Sequence, residues 1–120
     1  MTLHRHLPGA RLAEAVVCNG IAWLAGQVPE NLDADAQAQT ANVLAQIDTV
    51  LRDLGSDKSQ VIDATIFLAD LADYDAMNAA WGAWVIPGQT PARATVQAKL
   101  ANPAWKVEIK IVAAVSASKA

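Results

Sequence analysis

Pro91-Ala92-Arg93-Ala94-Thr95-Val96-Gln97-Ala98-Lys99-Leu100 alternates without a break. Ala92, Ala94, Val96, Ala98 and Leu100 take one set of positions, and Arg93, Thr95, Gln97 and Lys99 the other. Successive side chains of a strand point to opposite faces, so this stretch predicts a β-strand with one apolar and one polar face. After a turn at Asn102-Pro103 comes a second strand, in which Val107, Ile109, Ile111 and Ala113 alternate with Glu108, Lys110 and Val112. Pairing the two strands with their apolar faces together puts Arg93 and Glu108 on the same side of the sheet, with Thr95 and Gln97 close by. A guanidinium beside a carboxylate is the constellation best suited to chemistry in this chain.

Working back from that pair, Tyr74, Met77, Trp81, Trp84 and Val85 recur at helical spacing. They predict a helix capped by Asp70 or Asp73 and stopped by Pro87-Gly88. Val61 to Ala69 reads as a strand, with Ile62, Ala64, Ile66 and Leu68 towards the helices and Asp63, Thr65 and Phe67 away from them. A first helix is predicted from about Asp35 to Leu54. Val43, Ile47, Val50, Leu51 and Leu54 form its apolar stripe, Asp33 and Asp35 favour its positive end, and Gly55 stops it. Asn19-Gly20 separates two β-prone runs and predicts a hairpin with a type I′ turn, its bulk coming from Val16, Val17, Ile21, Trp23 and Leu24. Residues 1–10 read as irregular, with Pro8-Gly9 as a breaker, and Ser116 to Ala120 as a frayed end.

Hairpin, helix, strand, helix and two strands amount to a two-layer α+β domain over residues 1–120, a mixed sheet with both helices on one face. The other face would carry Asp63, Thr65, Phe67, Arg93, Thr95, Gln97, Glu108, Lys110 and Val112, and no segment is left to cover it. Packing against another copy is the favoured explanation, and four Trp against one Phe and one Tyr also suggest apolar surface finished by a partner.

Hydrophobic residues make up 53% and charged residues 18% of the chain, which excludes disorder. The formal net charge is −3 and the basic residues are scattered, which argues against nucleic-acid and anionic-membrane partners. No apolar run is long enough to span a bilayer and no signal core follows Met1, so a cytoplasmic protein is expected.

Arg93 is the leading candidate: its planar fork grips a carboxylate bidentately and stays charged at any working pH. On strand pattern alone, a structural ion pair, with Glu108 or Asp63 as partner, is the favoured use for it. Glu108 suits a general base, or else a counter-ion of Arg93 or Lys110. Asn78 lies beside the Met77/Trp81 stripe, as a ligand contact or a loop hydrogen bond. Glu14 reads as solvated. The lone Cys18 has no histidine near it in sequence to activate it. His4-Arg5-His6 has metal- or anion-binding residue types, but terminal histidines of this kind are ordinarily idle, and no metal or other cofactor is expected.

In order and spacing together, Gly26-Gln27-Val28-Pro29, Ala64-Thr65-Ile66-Phe67-Leu68, the helix bearing Tyr74 and Asn78, Pro91-Ala92-Arg93 and Val107-Glu108-Ile109 resemble the RidA (YjgF) family of reactive-intermediate deaminases over nearly the whole chain. Pro29 to Asp35, and Asn102-Pro103 with Lys106 to Lys110, resemble its YoaB-like subgroup. The resemblance implies a chorismate-mutase-like fold, a homotrimer with clefts between subunits, and cofactor-free hydrolysis of 2-imino acids and their enamine tautomers, such as 2-aminoacrylate, to 2-keto acids and ammonia. It implies that Arg93 binds the substrate carboxylate and Glu108 helps place the attacking water, with Asn78, Thr95 and Gly26 as further pocket positions. The chain departs from archetypal members at three places. Arg11-Leu12-Ala13 stands where they carry a tyrosine, Ala25 where they carry a serine, and Thr95 where they carry a cysteine. The loop between Asn78 and Arg93 is also shorter.

An alternative function is a non-catalytic module that binds small carboxylates, 2-keto or amino acids, through Arg93. A third, RNA-directed or chaperone-like, is disfavoured for RNA by the acidic balance.

Overall fold

A computed structural model describes residues 2–116. Six strands, β1 (His4–Pro8), β2 (Ala13–Cys18), β3 (Ile21–Leu24), β4 (Val61–Leu68), β5 (Ala92–Gln97) and β6 (Val107–Ala114), form one sheet in the order β1-β2-β3-β6-β4-β5. Helices α1 (Ala36–Asp53) and α2 (Tyr74–Trp84) pack on one face. The shortest dimension is 20 Å, the thickness of two layers.

The local rules account for most elements. Asn19 and Gly20 both have positive φ, 52° and 77°, as the type I′ turn of the β2–β3 hairpin requires. The Asp35 side chain accepts from the Ala38 N–H at 2.9 Å and caps α1. Gly55 follows the last turn at φ 76°, a conformation glycine adopts without steric cost. Val43, Ile47, Val50, Leu51 and Leu54 are all buried against Ala64, Ile66, Leu68, Val107, Ile109 and Ile111 of the sheet. Asp70 caps the short 3-10 turn at Leu71–Asp73, which leads directly into α2.

Four expectations fail, each for a reason outside local pattern. The first is that residues 1–10 are irregular: His4–Pro8 is instead an edge strand, antiparallel to β2. Mostly exposed residues carry no alternation signal, and the ladder with β2 decides the matter. The second is that Ile62 faces the helices. A register shift between Val61 and Asp63 puts Val61 in the core and leaves Ile62 45% exposed. The third is that the 91–100 strand pairs with the 107–113 strand. In fact β4 lies between them, antiparallel to β6 and parallel to β5. The fourth concerns which face of β5 is inside. Ala92, Ala94 and Val96 are exposed, whereas Arg93 and Thr95 are half-buried on the helix side. Arg93 pairs with Ala64 and Thr95 with Ile66, both fully buried, so the register with β4 settles the facing. The expected end at 117–120 lies outside the described residues.

The open face is therefore built differently from the expected one. Val16, Trp23, Val112, Asp63 and Ala92 form one row across the sheet; Lys110, Thr65 and Ala94 form a second; Glu108, Phe67 and Val96 form a third. No helix or loop among the described residues covers these rows, and Trp23 and Val96 are exposed there.

Candidate functional site

Arg93 lies near the start of β5, and α2 builds a cradle for its guanidinium. Nη1 donates to Asn78 Oδ1 at 2.8 Å and approaches Met77 Sδ at 3.9 Å, while Nη2 donates to the Tyr74 hydroxyl at 3.2 Å. The guanidinium carbon is 5.3 Å from the Trp81 ring centroid and 5.9 Å from that of Tyr74, close enough for cation–π attraction. Residues 74, 77, 78 and 81 fall at helical spacings of three and four, so one face of α2 supplies all four contacts.

No carboxylate among the described residues pairs with Arg93, so the ion-pair use of this residue is not realised. Of its five N–H donors, Nε–H and one Nη2–H have no partner among the described residues. These two donors are available to an acceptor such as a carboxylate. Two residues along the same face of β5, Thr95 Oγ1 is buried without a hydrogen-bond partner. Asn78 and Thr95 thus join Arg93, with Tyr74 and Trp81 added.

Glu108 and Gly26 form a second group. Glu108 pairs across the sheet with Phe67 and lies on the open face, half-buried, with no hydrogen bond or ion pair among the described residues. Lys110, one of its possible counter-ions, donates instead to the Leu24 carbonyl. Gly26 follows β3, and a Cβ built there would stand 2.2 Å from Glu108 Oε2. Glycine leaves the space in which the carboxylate lies. Gln27, the next residue, exchanges backbone hydrogen bonds with Ile109 and holds this segment beside β6.

Arg93 and Glu108 do not share a sheet face. Arg93 is on the side of Ala64 and α2, Glu108 on the side of Phe67, and strand β4 separates them. One chain holds the two groups back to back, on opposite faces of the sheet. The remaining candidates are structural or idle. Glu14 is not merely solvated, since its Oε1 accepts from Gln27 Nε2 at 3.0 Å. Cys18 is a free, buried thiol. His6 Nε2 is 3.9 Å from Asp53 Oδ2, and no group of three metal-ligating residues occurs among the described residues.

Two features escaped the sequence reading. Tyr74 and Trp81 read as core stripe, because apolar spacing does not distinguish packing on a sheet from packing on a guanidinium. Gln39 was passed over altogether. It is fully buried, donates through Nε2 to the carbonyls of Leu32, Ala34 and Ala104, and accepts at Oε1 from the Lys106 N–H at 2.8 Å. The available signal was its place four residues before Val43, a polar side chain continuing an apolar stripe.

The family model for endoribonuclease L-PSP matches residues 2–115. The chain is 60% identical to the RutC family protein YoaB of Escherichia coli over 115 residues, covering 96% of this chain and all of that one. It is 52% identical to a RutC family protein of Haemophilus influenzae, covering 94% of this chain and 98% of the relative. Its fold superposes on the crystal structure of a YjgF family member from Neisseria meningitidis with a TM-score of 0.91 at 50% identity, covering 97% of both chains. Family model, relatives and fold agree, and the chain belongs to the endoribonuclease L-PSP family, whose members are also named RutC and YjgF.

Proposed function

We propose that the protein is a cofactor-free hydrolase of 2-imino acids and their enamine tautomers, such as 2-aminoacrylate, and that its site is completed between copies of the chain in a homotrimer. The observation that carries this reading is that Arg93, held by Asn78 and Tyr74, keeps Nε–H and one Nη2–H without a partner among the described residues, two donors that suit a carboxylate. The back-to-back half-sites support assembly: Arg93 of one copy needs the Glu108/Gly26 group of another. Such head-to-tail contacts close into a ring, and the family resemblance implies a ring of three.

In this reading Arg93 anchors the carboxylate of the protonated imine. A water attacks C2, forming the C–O bond while Glu108 takes a proton from that water. The proton then passes from Glu108 to the nitrogen; as the C–N bond breaks, Glu108 takes the hydroxyl proton while the C=O bond forms and hands it to the departing ammonia, so that 2-keto acid and ammonium leave. Imines already hydrolyse in water, so orientation and charge placement suffice as the catalytic contribution. The matching family description names an endoribonuclease, but nine basic residues against twelve acidic ones offer little to RNA phosphates.

A second reading, a carboxylate-binding module without turnover, is supported by the Arg93 half-site being whole within one chain. The test is ammonia release while an amino-acid oxidase generates 2-imino acids in situ. Faster release with the protein is the expected result. Unchanged release together with binding of 2-ketobutyrate would leave the binding module.

A further inference from the structure

A groove of about 630 Å³ opens at the carboxyl ends of the parallel strands β4 and β5, lined among others by Ala69, Gln97, Lys99, Leu100, Asn102 and Trp105. It begins four residues beyond Arg93, roughly 13 Å along the strand. Its volume is that of a small-molecule pocket.

The polar lining has one sense. Gln97 Oε1 accepts from the Leu71 N–H at 2.9 Å, and Asn102 Oδ1 accepts from the Ala104 N–H at 2.9 Å. Each amide oxygen thus already accepts a backbone hydrogen bond, while each NH₂ has no partner among the described residues. Lys99 Nζ and the Trp105 indole N–H have no partner among the described residues, and no carboxylate lines the groove. Four of the side chains lining this concave space thus carry donors without a partner among the described residues, with alanine, leucine and proline between them.

The Trp105 wall is pre-formed. Gln39 accepts from the Lys106 N–H and donates to the Ala104 carbonyl at 3.1 Å, gripping the backbone on both sides of Trp105. The Trp105 N–H in turn donates to the Asn102 carbonyl at 3.0 Å. A fully buried glutamine fixes a surface loop whose one large side chain faces the groove.

We propose that this groove is a second ligand site, for a small aromatic carboxylate: the ring packs on the Trp105 indole and the carboxylate meets Lys99 and the flanking amide donors. It does not depend on the Arg93 reading.

The test is calorimetric titration of the full-length protein with phenylacetate, acetate and inorganic phosphate, with amide NMR shifts locating the ligand. Phenylacetate should shift residues 97–105. Lys99→Glu, at an exposed position, should weaken its binding about tenfold or more, with Lys99→Met acting in the same direction. Arg93→Ala should leave this binding unchanged, which separates the groove from the deaminase site. Acetate binding as tightly as phenylacetate would overturn the aromatic assignment, and tighter phosphate binding the carboxylate one. Indifference to Lys99→Glu, or loss of binding in Arg93→Ala, would overturn the site itself.

Discussion

In the proposed site, Arg93 is the side chain held ready for a ligand. A guanidinium free in solvent would have to give up conformational freedom on binding, but here Asn78, Tyr74 and Trp81 already hold it while leaving two donors open. Charge-assisted contacts of this kind contribute about 1.5–3 kcal/mol each, so Arg93→Ala should lower kcat/KM for imine hydrolysis by about a hundredfold. Arg93→Lys keeps the charge, loses the fork and should fall between. A folded Arg93→Ala protein with wild-type turnover would remove the anchor role. Glu108 is expected to act on water more than on affinity. Glu108→Gln should lower kcat while binding of 2-ketobutyrate is kept or improved, because the like charge is gone; weaker binding with unchanged kcat would make it scaffolding. Gly26→Ala probes the same carboxylate from beneath. The added Cβ meets the far end of a flexible side chain, not backbone, so Glu108 should swing aside at little cost in stability. Expected are a thermal midpoint near wild type and a clear fall in kcat; full activity would mean that the pose of Glu108 is immaterial.

Among the elements, α1 does more than fill the core. Through Gln39 it ties the 31–34 loop before it to the 104–106 segment that enters β6. Gln39→Leu keeps the volume but leaves three carbonyls and one N–H without this partner. With each buried orphan costing about 1–3 kcal/mol, and some of these groups near enough to the surface to take water, a loss of about 3 kcal/mol is expected. Urea unfolding with an unchanged slope would measure it, and a loss under about 0.5 kcal/mol would show the bonds to be replaceable. The β4–α2–β5 unit shows a different dependence. The groups around Arg93, Ala64 of β4 and Tyr74, Met77, Asn78 and Trp81 of α2, come from the elements just before it in the chain, so the cradle is assembled locally.

For the molecule as a whole, the open sheet face is the surface that no other element among the described residues covers. It is more apolar than its sequence pattern suggested, because β5 turns Ala92, Ala94 and Val96 outward to join Trp23, Phe67 and Val112. Contiguous apolar surface of this kind ordinarily marks an interface. Light scattering at micromolar concentration should give three times the chain mass, and a mass near one chain would contradict the trimer. No helix among the described residues is long and apolar enough to cross a membrane.

Elements whose code is local were legible in the residues alone: the Asn19-Gly20 hairpin, α1 between Asp35 and Gly55, α2 with its Met77/Trp81/Trp84 stripe, and the alternation of β6. The resemblance in order and spacing likewise singled out Arg93, Asn78, Thr95, Gly26 and Glu108 as candidate site residues. What only the tertiary structure decided is where those residues stand. Alternation states that a strand has two unlike faces, not which one meets the helices, and a face of alanines has too little apolar area to force the choice. The parallel register with β4 made it, placing Arg93 under α2 and Glu108 on the far side. Strand order is likewise a property of non-local pairing. A β-strand's neighbours are chosen by contacts distant in sequence, which is why β1 went unseen and why β4 came to lie between the two strands first read as a pair.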